Sequence, residues 1–151
     1  MSRKSIEFNV IGTPAPQGSK TRMPNGAMVE GSSATGRLKH RTWRQAVALE
    51  AHHQRQLHEH CFTTPVCVTA VFRFALPKSR AANVRRAITE GVMVGWKGSK
   101  PDLDKLCRSI FDSLETSGLL AHDALVAQCI ATKIEVGTGE WTGARITVTE
   151  L

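Results

Sequence analysis

Apolar residues recur at every second position in four stretches of the chain and at helical spacing in three others. Ile6, Phe8 and Val10 alternate with polar neighbours over 5–11, the period of a half-buried strand, and Gly12-Thr13-Pro14-Ala15-Pro16 stops the run. Val66, Val68, Ala70, Phe72, Phe74 and Leu76 repeat the pattern between two prolines and predict the strongest strand. Residues 126–136 alternate through Gln128, Ile130, Thr132 and Ile134, and Ala144, Ile146 and Val148 supply a last strand after a glycine-containing turn at 137–143. Residues 40–60 lack Pro and Gly. Trp43, Ala46, Val47, Ala51 and Leu57 fall roughly on one face there, with Arg41, Arg44, His52, Arg55 and Glu59 elsewhere, so a helix with a basic outer side is expected. A short helix over 79–90 would turn Val84, Ala87 and Ile88 inward and Arg80, Arg85 and Arg86 outward. Leu103, Leu106, Ile110 and Leu114 form the stripe of a third helix, with Asp102 or Asp104 at its start and Gly118 at its end. Residues 17–36 read as a long polar loop carrying Lys20 and Arg22. The order βαβ(α)αββ predicts an α+β fold: a small mixed sheet of about four strands with two main helices packed on it. No repeat or linker divides the chain, so one domain over 1–151 is expected.

Composition narrows the class. The 151 residues are enough for one compact core, and no apolar run approaches the ~20 residues of a membrane span. The N-terminus passes from two basic residues into alternating sequence without a secretory apolar stretch, so a cytoplasmic protein is expected. Cys61, Cys67, Cys107 and Cys129 show no zinc-knuckle or redox spacing and read as free thiols. The net charge of +7 is unevenly laid out: residues 1–101 hold 16 basic and 5 acidic groups, whereas 102–151 hold 4 basic and 8 acidic ones. All four aspartates, Asp102, Asp104, Asp112 and Asp123, fall in the segment 102–123, which solubility alone does not explain.

Asp102 and Asp104 stand two residues apart. In extended chain that spacing points both carboxylates the same way, while two helical steps would rotate them about 200° apart. With Asp104 as N-cap, Asp102 remains in extended chain and both can converge on a hard cation; magnesium suits such sparse oxygen coordination. Two plainer roles compete: an aspartate at a helix start caps free N–H groups, and Asp104, Arg108 and Asp112 at i, i+4, i+8 suit an ordinary ion-pair row.

The run Lys100-Pro101-Asp102-Leu103-Asp104-Lys105-Leu106, then Phe111-Asp112-Ser113-Leu114, Gly118-Leu119-Leu120, His122-Asp123-Ala124 and a strand containing Lys133, resembles the RusA family of Holliday junction resolvases of phages and prophages. That family's pattern is a PDxDNL helix start, a D-A-L-like segment and an acidic residue before the next strand. Gly12 to Arg22 is similar to the family's proline-containing basic loop after its first strand. The resemblance implies a homodimeric, magnesium-dependent endonuclease, with manganese as a substitute cation, that cuts four-way DNA junctions by paired symmetric nicks. It also implies a phage-type enzyme of the bacterial cytoplasm acting in recombination and repair. Asp102, Asp104 and Asp123 match the family's catalytic, metal-holding aspartates, and Arg108 matches a position where the bacterial member has a functional lysine. The guanidinium keeps the charge and changes its shape from a point to a planar fork. Lys105 replaces the frequent asparagine, and His122 replaces what is often an acid.

Chain geometry leaves the place of Asp123 open. A helix from 104 to 117 spans ~20 Å, and six extended residues reach at most ~20 Å. Either 118–123 runs straight back beside the helix, or the helix ends early, or Asp123 completes the site of a second subunit. On the nuclease reading the basic segment grips phosphates, with Lys20, Arg22, Arg41, Arg44, Arg85, Arg86, Lys97 and Lys100 as the leading candidates. Trp96, between glycines in a basic stretch, is the tryptophan best suited to stack on a base. His52, His53, His58 and His60 beside Cys61 match no zinc-ligand spacing, and the absence of tyrosine excludes tyrosine-recombinase chemistry. Two other readings remain: a basic nucleic-acid-binding protein without catalysis, and a nuclease for other branched DNA on the same scaffold.

Overall fold

Residues 2–18, 20–30 and 33–151 are described by the structure, a computed structural model, with positions 20, 21, 29 and 30 described for their backbone only. The alternating stretches become strands β1 (Ser5–Ile11), β4 (Val66–Ala75), β6 (Val126–Val136) and β7 (Gly143–Glu150). The helical stretches become α1 (Ala34–His58), α2 (Ala82–Thr89) and α3 (Leu103–Ser117), and a 3-10 turn occupies Asp123–Leu125. Three short strands add to these: β2 (Lys20–Arg22), β3 (Met28–Glu30) and β5 (Gly95–Trp96). The main sheet has the order β1-β7-β4-β6-β5, in which only β4 and β6 run parallel. The fold is therefore α+β as expected, with five strands in place of four. A two-residue strand such as β5 is too short to leave a period in the sequence.

Cross-strand register explains the core. Ile6, Val148 and Val68 stand in one row, Phe8, Ile146 and Ala70 in the next, and Val10, Ala144 and Phe72 in a third. All nine are buried and face α1 and α3. From α3 the stripe Leu106, Ile110 and Leu114 meets this face, and from α1 Trp43, Val47 and Ala51 do. The two helices pack closely because α3 turns Ser109, Ser113 and Ser117 toward α1; Ser113 Oγ donates to the Ser109 carbonyl at 2.7 Å and lies 3.3 Å from the Arg44 carbonyl.

Four expectations change. Leu57 is exposed, because six residues beyond Ala51 is about 240° round a helix, off the buried stripe. The helix 40–60 begins earlier, at Ala34, where the Ser33 side chain accepts from the Gly36 N–H; Gly36 sits inside the first turn and hides it from the sequence pattern. The polar loop 17–36 contains the β2–β3 hairpin, closed by Asn25 Oδ1 accepting from the Ala27 N–H, a turn that Pro24-Asn25-Gly26 encodes. In β6 the apolar even positions face away from the helices. The register pairs Val68 with Cys129, Ala70 with Ala131, Phe72 with Lys133 and Phe74 with Glu135, so the odd positions share the core side. Ile130 is accordingly exposed, and two charged residues stand on the helix side. No helix among the described residues is long and apolar enough to cross a membrane.

Gly143, opening β7 at φ 142°, lies against the Val10 carbonyl, and a Cβ there would collide with backbone. Gly143→Ala is expected to cost about 2 kcal/mol or more in urea unfolding. Gly139→Ala, at φ 88° with nothing within 4 Å, should cost about 1 kcal/mol.

Candidate active site

The helix α3 starts one residue after Asp102, which is the N-cap in extended conformation (φ −69°, ψ 135°), and Asp104 lies in the first turn. The N-cap is thus Asp102 and not Asp104. Its carboxylate makes no capping hydrogen bond; it lies 3.6 Å from Lys105 Nζ and 4.0 Å from Lys100 Nζ. Asp104, Arg108 and Asp112 form no ion pair with one another. Neither plain structural role proposed for these aspartates is therefore taken up, and Asp104 and Arg108 stand exposed. Asp102 opens into a cleft of about 600 Å3 whose charged lining is Lys39, Lys97, Lys100 and Lys105, with Pro14 and Phe74 among its apolar walls.

Several contacts hold that cleft. Lys133, on the core side of β6, donates to the carbonyls of Ser99 at 2.9 Å and Pro101 at 2.8 Å, fixing the segment that leads into Asp102. Its neighbour on the same side, Glu135, is buried and paired to Arg80 at 2.8 Å. The loop after β1 joins from the other flank, where the Gln17 N–H donates to the Lys105 carbonyl at 3.2 Å. Lys97 Nζ lies 5.0 Å from the centre of the Phe74 ring and donates to Ser99 Oγ.

Asp123 is elsewhere. Its backbone N–H donates to Glu115 Oε2 at 2.7 Å, so it stays at the far end of α3. Eleven residues of helix separate Asp104 from Glu115, about 16 Å along the axis. The segment 118–123 does not run back beside the helix; Phe62 and Leu120 form a parallel bridge, and the Leu120 N–H donates to Leu114 O. Nor does the helix end early, since it continues to Ser117 with Gly118 left-handed at φ 75°. Among the described residues no group of three or more His, Cys, Asp or Glu is placed to hold one metal ion, the histidines of α1 included.

Residues 12–149 match the family described as Endodeoxyribonuclease RusA. The chain belongs to the RusA endodeoxyribonuclease family. No curated protein matches it. RusA membership carries the activity of an endodeoxyribonuclease acting on Holliday junctions, and divalent-metal dependence is general among RusA nucleases.

The other expected RusA site residues are dispersed. Lys97 and Lys100 line the Asp102 cleft. Arg41 and Arg44 line a second cleft on α1. Arg85 and Arg86 sit on α2 and line neither; Arg85 is half-buried, not outward. Arg22 is exposed on β2, and the Lys20 side chain lies outside the described ones. Trp96 is 65% exposed on β5, whereas Trp43 is core and the Arg73 guanidinium lies 4.2 Å over Trp141. Sequence reasoning missed Lys39 and the anchoring role of Lys133. For Lys133 the sequence held no signal, because its inward side follows only from the register that pairs it with Phe72; once there, the ammonium must find acceptors.

All four cysteines are free. Cys107 of α3 and Cys129 of β6 approach to 3.9 Å, and burial, with the Cys129 thiol beside it, pushes the Cys107 thiol up to about 12. A raised pKa keeps that thiol protonated at pH 8. Iodoacetamide labelling of folded protein at pH 8, read by mass spectrometry, should leave Cys107 unmodified after Cys61 and Cys67 have reacted. Lys133→Met is expected to free the 99–101 segment, lowering stability by ~1–2 kcal/mol and junction cleavage by about tenfold or more.

Proposed function

We propose that this protein is a magnesium-dependent, homodimeric Holliday junction resolvase, one domain over 1–151, that nicks two opposed strands symmetrically. The observation that carries the reading is the uncapped Asp102 carboxylate opening into a lysine-lined cleft, with Asp104 exposed two residues on in the first turn of α3. The donor set fits a hard divalent cation: carboxylate oxygens from one short segment, with room for water and a phosphate oxygen. Asp102 and Asp104 would hold it, with manganese as a substitute. When bound, such a cation supplies charge neutralisation at the scissile phosphate and a more acidic water.

The chain's own residues supply the rest. Lys39, Lys97 and Lys100 draw the phosphate backbone into the cleft and orient it over the carboxylates. Arg108, one turn beyond Asp104 and exposed, would donate to a phosphate oxygen as negative charge develops. Apolar walls from Pro14 and Phe74 limit the water at the reacting centre.

Asp123 joins this site from a second copy. Among the described residues the edge of β6 opposite β4 is covered by β5 at Ile134 and Glu135 and by the Lys97 N–H at the Lys133 carbonyl, which leaves the edge before them open; Ala127, Gln128, Cys129 and Ile130 are exposed along it. Such an edge invites strand pairing. Antiparallel pairing of two copies about a two-fold near Cys129 would set residue 126 of one opposite 132 of the other. The α3 helices would then lie antiparallel on the same face. The Asp123 end of each would meet the Pro101–Asp104 end of its neighbour, giving two equivalent sites for two opposed strands.

A labelled four-way junction tests this. Asp102→Asn, Asp104→Asn and Asp123→Asn are each expected to abolish magnesium-dependent cutting while junction binding persists. Co-expressed Asp102→Asn and Asp123→Asn chains should regain nicking of one strand at about a quarter of the wild-type sites, because each mixed dimer assembles one intact site. No recovery in the mixture would refute the shared site.

A further inference from the structure

A second cleft, of about 640 Å3, lies between the first half of α1, the later turns of α3 and the segment at Gln17 and Gly18. Its charged lining from α1 is Arg37, Arg41 and Arg44, with the His40 ring beside them, and from α3 it receives Asp112. Gln17 and Gly18 line both this cleft and the one at Asp102, so the two share a wall. Lysines surround the first cleft and arginines the second.

The arginines are mounted rigidly. Positions 37, 41 and 44 follow one stripe of α1 and span about 10 Å at 1.5 Å per residue. The serine face of α3 packs closely on that turn of α1, with Ser113 Oγ 3.3 Å from the Arg44 carbonyl. Arg44 Nη2 reaches Thr116 Oγ1 at 3.5 Å, and among the described residues neither Arg41 nor Arg44 makes an ion pair. Two planar forks therefore face the cleft without a paired carboxylate; Asp112, beside them, is not within ion-pair distance of either. Planar, bidentate donors suit phosphate oxygens. A small anion would fill one cleft alone, whereas a polyanion can follow the shared wall from one to the other.

We propose that the α1–α3 cleft is a phosphodiester-binding subsite that grips the nucleic-acid arm leaving the Asp102 cleft, with Arg41 and Arg44 as its positioning residues. This rests on the nuclease reading and adds to it a place where affinity is generated away from the reacting phosphate. Binding of labelled four-way junction, followed by anisotropy across a salt series without divalent cation, tests it. Arg41→Gln/Arg44→Gln should weaken binding about tenfold or more near 0.1 M salt and reduce the log–log salt slope by about 1.8, the loss of two phosphate contacts. Arg3→Gln/Arg145→Gln removes the same charge from other parts of the surface and should leave the slope unchanged.

Thermal melting separates lost binding from lost folding. If the double variant unfolds, the single Arg41→Gln, at an exposed position, should still take about 0.9 off the slope. A double variant that melts and binds like wild type overturns the subsite, as does an equal loss in the control pair, which would make the effect one of net charge. Wild-type protein that neither binds nor cuts junctions would instead overturn the nuclease reading itself.

Discussion

The helix α3 is bound to the sheet along its whole length by Leu106, Ile110 and Leu114, and that attachment fixes the distance between its ends. Burying three such side chains stabilises by roughly 1.5–3 kcal/mol each, so the helix cannot shorten or swing to bring its termini together. Asp102 and Asp104 ride on one end and Asp123 is tied to the other through Glu115. Because β6 returns antiparallel to α3 while running beside β4, the strand leads away from Asp123 and back toward Pro101. A rigid element about 20 Å long thus separates groups that the proposed site needs within a few ångströms. In the proposed dimer, a partner related by a two-fold axis would relieve that constraint without any change in the fold.

The same strand carries a cost that makes sense only at its far end. Lys133 and Glu135 occupy core-side positions where Cys129 and Ala131 precede them. Charges there are expensive unless fully paired, and both are: one takes two carbonyls, the other a guanidinium. An apolar residue at either position would pack more simply. What the charges hold is the chain around the cleft, Ser99 to Pro101 by one and Arg80 by the other, so polar groups are spent where the backbone must be placed and not merely buried.

Much of this was legible in the sequence, and the failures share a cause. Strands β1, β4 and β7 and helix α3 follow one period throughout and are read with nearly their observed limits. β6 was found, yet its face was inverted, because Ile130 and Ile134 look like core in isolation and only register against β4 shows that Lys133 and Glu135 take the inner side. β5 and the β2–β3 hairpin are too short for periodicity and depend on turn chemistry. The aspartates stood out by their crowding into one segment of a basic chain. That they divide between two ends of one helix was not readable, since it depends on how residues 118–123 leave Gly118 and pair with Phe62. Arg41 and Arg44 could be named as basic but not as neighbours of Asp112, a relation made by the serine face that sets α1 against α3.

The ion pairs at Asp102 bear on how the cleft is used. At 3.6 and 4.0 Å, with Lys100 87% and Asp102 43% exposed, they are long and wet, and such pairs contribute at most about 1 kcal/mol. Arg80 and Glu135, with the carboxylate buried, form the opposite kind of pair, whose rupture would strand a charge. The protein therefore places its strong electrostatics in the scaffold and its weak electrostatics at the mouth. A carboxylate held only loosely by lysines can exchange them for a cation, and the released ammonium groups are then available to the phosphates that arrive with it. On the proposed function, the lysines that guard Asp102 in the free protein would become part of the grip on the backbone once it is bound, so one set of charges would serve both states.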